Sequence, residues 1–265
     1  MSTDAFSGSV PENYDRYLGP VLFEPYAREL VARIPRREGM RVLEIACGTG
    51  IVTRHLRDAL PPSATLTATD LSDAMVGYAA RSVAAAGIVW QPADAQALPF
   101  ADGAFDLVVC QFGLMFLSSK VLGFAEARRV LAPGGQLIAT VWQSLDANPF
   151  AAAMARTLAG MCPADPPRVL DMIHGYWAAE RIAADMRAAG WENMAFEPVA
   201  IHGHGRAAAD LATGFAYGSP IAQALAQRGA DPKRFVAELT PRLIEIGGDA
   251  PFTPALSAIV VSATR

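Results

Sequence analysis

The sequence predicts an α/β fold in which a mainly parallel sheet carries helices on both faces. Between residues 41 and 142, short apolar strand patterns alternate with helical patterns, and the first strand runs directly into a glycine-containing turn at 47–50. Acidic residues, Asp70 and Asp94, end the next two strands. Such alternation implies right-handed crossovers and parallel strands, whose carboxyl ends form the ligand-binding edge.

Composition narrows the class of protein. A chain of 265 residues with 52% hydrophobic content can form one large domain, or one domain with an added cap. The net charge of −4 and the absence of a Lys/Arg cluster argue against nucleic-acid binding and favour a small-molecule partner. The sequence has no signal peptide and no long uncharged apolar segment, which predicts a cytoplasmic protein without membrane insertion. The three cysteines are far apart and the histidines lack ligand spacing, so no disulfide framework and no metal site is predicted.

The first strand and its turn are the starting point for the site. The run 42–46 is apolar except for Glu44, as is typical of a central strand covered on both faces. Gly48 and Gly50 lack a Cβ atom, so a ligand can lie on the backbone of this loop. Glu44 needs a partner because its burial is costly. It either accepts backbone N–H groups of the loop or contacts the ligand, and the sequence leaves both open.

Two later acids stand where a nucleotide would need them. Asp70 ends the strand 65–70 about twenty residues beyond the glycine loop, the spacing of a carboxylate that binds ribose hydroxyls. Capping of the next helix is the alternative, although Ser72 is the better N-cap. Asp94 and Ala95 follow the strand 88–94 and offer a carboxylate and an N–H group to a purine base, but an ordinary loop aspartate fits equally well.

The remaining core elements follow in order. The fourth strand, 105–111, ends at Gln111, and the apolar segment 112–117 places Phe116 near a ligand or simply in the core. The turn 132–135 precedes a fifth strand at 136–142. A helix at 23–34 precedes the first strand.

The rest of the chain suggests additions to the core. Two tyrosines, Tyr14 and Tyr17, lie in a polar stretch that is either a tail or a segment that folds over a site. We predict four regions: an N-terminal cap segment and helix (1–36), a cofactor-binding core (37–145), a helical lid insertion (146–177), and the completion of the sheet (178–265). The last region contains strands at 194–201 and 257–263 and a second helical insertion at about 207–247.

Four motifs occur together in a recognisable order: Glu44-Ile-Ala-Cys-Gly-Thr-Gly50, Asp70 at a strand end, Asp94-Ala95, and Leu131-Ala-Pro-Gly-Gly135 before a strand. This set resembles class I S-adenosylmethionine-dependent methyltransferases, and most closely the ubiquinone/menaquinone-biosynthesis-like (methyltransferase type 11) subgroup. The resemblance is strong over about 40–142. It implies a Rossmann-like, seven-stranded, mostly parallel sheet with an antiparallel edge strand, to which 194–201 and 257–263 would contribute.

The resemblance also implies the cofactor, S-adenosyl-L-methionine, and its contacts. The family's glycine loop passes beneath the methionine part of the cofactor, its second acid binds the ribose, and its N-terminal tyrosines close over the ligand. Carried onto this sequence, the expected cofactor-binding residues are Tyr14, Tyr17, Glu44, Ala46, Cys47, Gly48, Gly50, Asp70, Leu71, Met75, Asp94, Ala95, Gln111 and Phe116. Cys47 departs from the smaller or acidic residue common at its position. Arg16 is a weaker candidate.

The expected reaction is methyl transfer to a small apolar or aromatic acceptor. The cofactor supplies the electrophile, and the protein aligns the acceptor and excludes water. No catalytic base is evident; His174, His202 and Tyr14 are the candidates, because imidazole titrates near neutrality and the tyrosine ring can stabilise a sulfonium. Two alternatives stay open: an NAD-dependent oxidoreductase, disfavoured by the missing third glycine, and a non-catalytic binding or oligomer-forming protein. A homodimer is compatible with the sequence.

Overall fold

A computed structural model describes residues 8–265, so the predictions that concern residues 1–7 lie outside the described part. The strands are β1 (Arg41–Ile45), β2 (Thr65–Asp70), β3 (Ile88–Pro92), β4 (Phe105–Gln111), β5 (Leu131–Trp142), β6 (Asn193–His202) and β7 (Ala255–Thr264). The α-helices are α1 (Val10–Asn13), α2 (Glu24–Ala32), α3 (Ile51–Ala59), α4 (Asp73–Ser82), α5 (Lys120–Val130), α6 (Pro149–Met161), α7 (Val169–Ile173), α8 (Ala179–Ala188), α9 (Ala208–Gly218), α10 (Pro220–Ala226) and α11 (Pro232–Gly247). A π-helix (Tyr14–Phe23) and a 3₁₀ turn (Leu114–Phe116) complete the set.

The seven strands form one sheet in the order β3-β2-β1-β4-β5-β7-β6, which confirms the predicted fold class. The pairs from β3 to β5 are parallel, and β7 runs antiparallel to β5 between that strand and β6. The antiparallel strand is therefore inserted one position in from the β6 edge.

Strand β1 is central because apolar residues cover both of its faces. Val42 and Leu43 are fully buried, and β1 pairs with β2 on one side and β4 on the other. From β1 the chain first adds β2 and β3 on one side and then crosses to add β4 and β5 on the other side. The switch point of the sheet therefore lies between β1 and β4. In open α/β sheets, ligands bind at the carboxyl ends of the strands that flank such a point.

The N-terminal stretch is helical, where the sequence predicted a tail or a segment folding over a site and a helix starting only at 23. Helix α1, the π-helix and α2 follow one another without a break from Val10 to Ala32. Gly19 and Pro20 obscured this helix in the sequence because both residues disfavour an α-helix interior. A π-helical stretch accommodates the proline, since the chain is already wound more loosely there.

Two other boundaries differ from those that the sequence predicts. Helix α4 ends at Ser82, whereas the sequence pattern predicts a helix from about Asp73 to Ala86 that ends at Gly87. Strand β5 begins at Leu131, so the predicted turn 132–135 is part of an irregular strand whose register shifts opposite Phe105 and Leu107. Boundaries are the weakest part of a sequence pattern, because the same residues fit a frayed end and a turn.

Contacts within the chain define two compact units. Unit 1 contains 1–25, 143–175 and 200–257, of which residues 8 onward are described; unit 2 contains 26–142, 176–199 and 258–265. Unit 2 holds β1 to β5, most of β6 and β7, and the helices α2 to α5 and α8. Unit 1 is mainly helical and holds both stretches predicted as insertions, together with the N-terminal helices. In residues 8–265 no helix has the length and apolar character needed to cross a membrane.

Candidate functional site

The loop after β1 has a backbone conformation that favours glycine. Gly48 and Gly50 have φ values of 55° and 85°, and Ala46 before them has a φ of 57°. The Cys47 N–H group donates to the Thr69 carbonyl at 2.9 Å, and Gly50 N–H donates to the Cys47 carbonyl at 2.9 Å. The loop is therefore fixed to β2, and its left-handed residues set its shape before any ligand binds.

The two glycines serve different purposes. A Cβ atom on Gly50 would lie 2.8 Å from Val83 Cγ2 and 3.2 Å from Ala79 Cβ, so Gly50 permits close packing of the loop. A Cβ atom on Gly48 would meet no atom within 4 Å. Gly48 therefore leaves open space over the loop backbone, which is the property needed where a ligand rests on the chain.

Asp70 is tied to this loop. Its Oδ2 atom accepts the Gly48 N–H at 2.9 Å and its Oδ1 atom accepts the Ser72 N–H at 2.9 Å. Desolvation raises the pKa of this carboxyl, and the hydrogen bonds from Ser72, Gly48 and Leu71 oppose the rise. The N-cap of α4 is Ser72, whose Oγ atom accepts the Met75 N–H, as the sequence predicted. Asp70 thus braces the loop, and its binding to ribose stays a prediction.

The sequence left two roles open for Glu44, and the described part of the structure shows no hydrogen bond from a loop N–H group to its Oε2 atom. Its side chain is 1% exposed, and its Oε2 atom has no hydrogen-bond partner within residues 8–265. Burial raises the pKa of Glu44 to about 8; the nearby Thr53 hydroxyl partly offsets this, and the Asp70 charge adds to it. The Gly48 N–H group of the loop donates to Asp70, and Glu44 is a buried carboxyl next to the loop.

The expected adenine contacts lie at the ends of β2 and β3. Leu71 is 54% exposed directly after Asp70, whereas Met75 is buried in α4. Asp94 accepts the Gln96 N–H at 2.8 Å through Oδ1, and Ala95 is buried beside it. An exposed apolar side chain such as Leu71, next to a carboxylate held by hydrogen bonds, can pack against one face of a planar base.

The end of β4 contributes the other wall of the site region. Gln111 ends the strand, and Phe112, with a φ of 53°, donates its N–H to the Thr140 carbonyl at 3.0 Å. Gly113 packs against the glycine loop so closely that a Cβ atom would lie 2.5 Å from Ala46 Cβ. Phe116 is half-buried in the 3₁₀ turn that follows.

Sequence reasoning missed the residues that hold this wall. Phe112 stacks on Trp142 with ring centroids 4.0 Å apart, and Tyr26 meets Phe112 edge-on at 5.3 Å. Lys120 donates through Nζ to the carbonyls of Met115 and Leu117, which fixes the turn. A left-handed phenylalanine and a lysine bound to carbonyls leave no sequence signal, because both depend on contacts between distant elements.

Cys47 is an inert part of the site. Its side chain is buried, and burial raises the pKa of the thiol well above its ordinary value, with Glu44 and Asp70 adding to the effect. Cys110, buried beneath the loop after β4, is likewise shifted to a pKa of about 12 by burial. Neither thiol supplies a thiolate nucleophile at neutral pH.

The candidate catalytic residues all belong to unit 1. His174 is buried, and its Nδ1 atom lies 2.8 Å from the Gln143 carbonyl, to which only a protonated Nδ1 can donate. Burial lowers the pKa of His174 to about 4, so the ring is neutral at pH 7. His202 is exposed at the end of β6. Tyr14 stacks on Phe23 at 4.7 Å, and the ring of Tyr17 carries the Arg16 guanidinium 5.1 Å from its centroid.

The residues in unit 2 leave room for a ligand at the carboxyl ends of β1 and β2. The open backbone at Gly48, the braced Asp70 and the exposed Leu71 follow one another along the carboxyl ends of β1 and β2. Within residues 8–265, no group of three or more His, Cys, Asp or Glu side chains is arranged to hold a metal ion.

Comparisons with known proteins point to the same region. The model of a family described as "Methyltransferase domain" matches residues 42–135. The chain is 32% identical over 146 residues to the ubiquinone/menaquinone biosynthesis C-methyltransferase UbiE of Burkholderia multivorans, covering 52% of this chain and 60% of that protein. It is 39% identical over 104 residues to the malonyl-[acyl-carrier protein] O-methyltransferase of Hahella chejuensis, covering 38% and 37%.

A structural relative extends the likeness in fold beyond this region. The YcgJ protein from Bacillus subtilis superimposes with a TM-score of 0.56 at 18% identity, covering 91% of this chain and 98% of that chain. Identity at this level concerns the fold alone. The chain spans at most about 60% of the length of the curated relatives named above.

Proposed function

We propose that this chain is a class I S-adenosylmethionine-dependent methyltransferase, with S-adenosyl-L-methionine as its cofactor, and that it transfers a methyl group to a small apolar or aromatic acceptor. The acceptor is a small molecule, and no nucleic acid takes part. Cytoplasmic location and assembly as a homodimer stay predictions.

The observation that carries the proposal is the pairing of Gly48 with Asp70. The Gly48 N–H group is held by the Asp70 carboxylate at 2.9 Å, while the space over the Gly48 Cα is open. A preformed loop with free space above it and a carboxylate at its side offers a ligand both backbone contact and a hydrogen-bond acceptor. That combination suits a nucleoside with a flexible charged arm better than it suits an apolar molecule.

The residues of unit 2 would each have a definite task. The loop 46–50 would support the methionine part, Asp70 would accept ribose hydroxyls, and Asp94 with Ala95 would bind the adenine edge. Leu71 would cover the adenine face, and Gln111 and Phe116 would border the cofactor from the end of β4. When bound, S-adenosyl-L-methionine supplies the electrophilic methyl group. Tyr14 and Tyr17 remain expected contacts from unit 1.

For the acceptor, we favour methylation of a ring carbon in a quinone-like molecule. UbiE of Burkholderia multivorans is named as a C-methyltransferase of ubiquinone and menaquinone biosynthesis, and it shares 146 aligned residues with this chain. The O-methyltransferase of Hahella chejuensis aligns over a shorter stretch, so methylation at oxygen is the second candidate. Neither chemistry requires a metal ion in the residues described above.

A pair of glycine variants tests cofactor binding. Gly48→Ala places a methyl group in the open space over the loop, whereas Gly134→Ala introduces the same left-handed strain, at a φ of 76°, in the turn region of β5 away from the site. Each should cost about 1 kcal/mol of stability from backbone strain. Calorimetric titration with S-adenosylhomocysteine should show a loss of affinity for Gly48→Ala only, because the added methyl group occupies the space over the loop. We expect a loss of at least about tenfold, which corresponds to about 1.4 kcal/mol of binding free energy.

Two outcomes would contradict the proposal. The first is equal affinity in the two glycine variants, which would place the ligand elsewhere. The second is the absence of any S-adenosylmethionine or S-adenosylhomocysteine binding by the unmodified protein. A change in nicotinamide fluorescence on mixing with NADH would instead support the oxidoreductase alternative, although Thr53 occupies the position of the third glycine and is fully buried in α3.

A further inference from the structure

Unit 1 contains a cavity of about 250 Å³ whose lining includes Tyr17, an expected cofactor contact, and six residues to which the proposed function gives no role. It lies between the π-helix Tyr14–Phe23 and the segment that joins β6 to α9. Its lining residues are Arg16, Tyr17, Pro20, Val21, Gly205, Arg206 and Asp210. Pockets for drug-sized ligands are about 300–1,000 Å³, so this cavity suits a smaller molecule.

One wall of the cavity is aromatic and apolar. The Arg16 guanidinium lies 5.1 Å from the Tyr17 ring centroid, and Pro20 and Val21 continue the same helix surface. The opposite wall is brought close by a glycine: a Cβ atom on Gly205 would lie 2.8 Å from Val21 Cγ2. Two backbone hydrogen bonds between Gly205 and Phe252 fix that wall. The cavity is therefore built by rigid backbone on both sides.

The rim of the cavity is positively charged. Arg206 forms a two-pronged ion pair with Asp210, at 2.9 Å and 3.1 Å. Arg16 has no carboxylate partner among residues 8–265, and its guanidinium is exposed beside the Tyr17 ring. The three charged groups sum to one positive charge. A guanidinium held against a ring is pre-organised for a planar carboxylate, which it can bind through two parallel hydrogen bonds.

We propose that this cavity binds a small aromatic carboxylate, with its ring against Tyr17 and its carboxylate between Arg16 and Arg206. The ligand's ring would pack against the apolar wall, and its carboxylate would pair with the Arg16 guanidinium at the rim. One aromatic ring with one acid group is also the size that the volume allows. None of the lining residues is among those expected to bind the cofactor's nucleoside.

Three probes of related shape separate the contribution of the ligand's ring to binding from that of its negative charge. Benzoate carries both ring and charge, benzamide has the same ring without the charge, and acetate has the charge without the ring. The full chain is titrated without cofactor, and binding is followed by saturation-transfer NMR and calorimetry. We expect benzoate to bind, and benzamide and acetate to bind at least about threefold more weakly. A threefold loss of affinity is the size expected for removing one exposed ion pair or one ring contact.

Substitutions at the rim should change the affinity for benzoate in opposite directions. Arg16→Gln and Arg206→Gln should each weaken benzoate binding about threefold. Asp210→Asn should strengthen it by a similar factor, because it releases Arg206 from its ion pair without changing the shape of the side chain. Arg156→Gln is the control for Arg16, and Arg234→Gln, from the exposed pair Arg234–Glu238 at 2.7 Å, is the control for Arg206. Neither control residue lines the cavity.

The proposal fails if benzoate does not bind, if benzamide binds equally well, or if Asp210→Asn weakens binding as the arginine variants do. Thermal unfolding of each variant should match that of its control, because the altered side chains lie at the surface. A last titration adds saturating S-adenosylhomocysteine. If it displaces benzoate, the cavity belongs to the cofactor site and the proposal of a separate site is wrong; if benzoate still binds, the site is distinct.

Discussion

Two acids beside the glycine loop, the buried Glu44 and the half-buried Asp70, differ in the hydrogen bonds that their carboxyl groups make. Asp70 accepts N–H groups from both Gly48 and Ser72, whereas the Oε2 atom of Glu44 has no partner in the described chain. A bonded carboxylate is stabilised in its charged form, while an unbonded one in an apolar strand is stabilised in its neutral form. The hydrogen bonds to Asp70 oppose the rise in its pKa that burial causes, whereas Glu44, whose pKa is about 8, is mostly protonated at neutral pH.

This difference predicts how stability depends on pH. The pKa of Glu44 is about 8 in the folded protein, against an ordinary value of 4.5. Between these values the folded protein binds more protons than the unfolded chain, so the free energy of unfolding falls as pH rises, by up to about 1.4 kcal/mol per pH unit for this one group. The stabilisation is complete below pH 4.5 and lost above pH 8.

Glu44→Gln should remove this contribution. Urea unfolding at pH 5 and pH 8.5 should show the unmodified protein losing more stability than the variant, by about 2–4 kcal/mol after allowance for water entering the site. The cost of burying the glutamine amide is the same at both pH values. It therefore cancels when the change in the free energy of unfolding between pH 5 and pH 8.5 is compared between the two proteins. Asp106→Asn, at an acid whose pKa is lowered mainly by its hydrogen bonds with Arg41, should leave the alkaline loss unchanged. Parallel pH curves for the unmodified protein and Glu44→Gln would contradict the assignment.

Among the elements of unit 1, the N-terminal helices and α9 are in close contact. A Cβ atom on Gly214 would lie 2.5 Å from Leu18 Cδ2, and one on Gly218 would lie 2.5 Å from the Tyr14 backbone nitrogen. The two glycines are four residues apart, on one face of α9. The stretch that carries Tyr14 and Tyr17 is therefore packed tightly against the second insertion.

A substitution at this contact should cost stability. Gly218→Ala would push a methyl group into the backbone at Tyr14 and Asn13, where a side chain cannot rotate away. We expect a loss of about 1–3 kcal/mol in urea unfolding. Gly160→Ala, in α6 with no atom within 4 Å of the added Cβ, is the matched control and should be neutral or more stable by up to about 1 kcal/mol. Equal stability of the two variants would show that the α9 contact is loose.

The elements also show what the sequence could predict and what it could not. Strands β1 to β4, their order of appearance and the loop at Gly48 and Gly50 follow from local patterns, because each pattern depends on neighbouring residues alone. The partner of Gly48 N–H, the left-handed Phe112 and the helix through Pro20 depend on contacts between residues far apart in the chain. Such contacts have no local signature, and for this reason the sequence left open whether Glu44 accepts the loop N–H groups, a role that Asp70 has in the structure.

At the scale of the whole molecule, neither unit is a continuous segment. The chain passes from one unit to the other five times, after Pro25, Trp142, Gly175, Val199 and Ser257. Two of these passages fall inside strands, because β6 spans Val199 and β7 spans Ser257. Loss of order in one unit therefore disrupts strands that continue into the other, and we expect the two units to unfold together.

The distribution of tryptophan makes this expectation measurable. All four tryptophans, Trp90, Trp142, Trp177 and Trp191, belong to unit 2, whereas far-UV circular dichroism also reports the helices of unit 1. Urea unfolding followed by tryptophan fluorescence and by circular dichroism should give the same midpoint. S-adenosylhomocysteine at a hundred times its dissociation constant should raise stability by about 2.7 kcal/mol and move both midpoints equally, although its expected contacts are mostly in unit 2. A circular-dichroism midpoint that stays in place while the fluorescence midpoint shifts would mean that unit 1 unfolds independently.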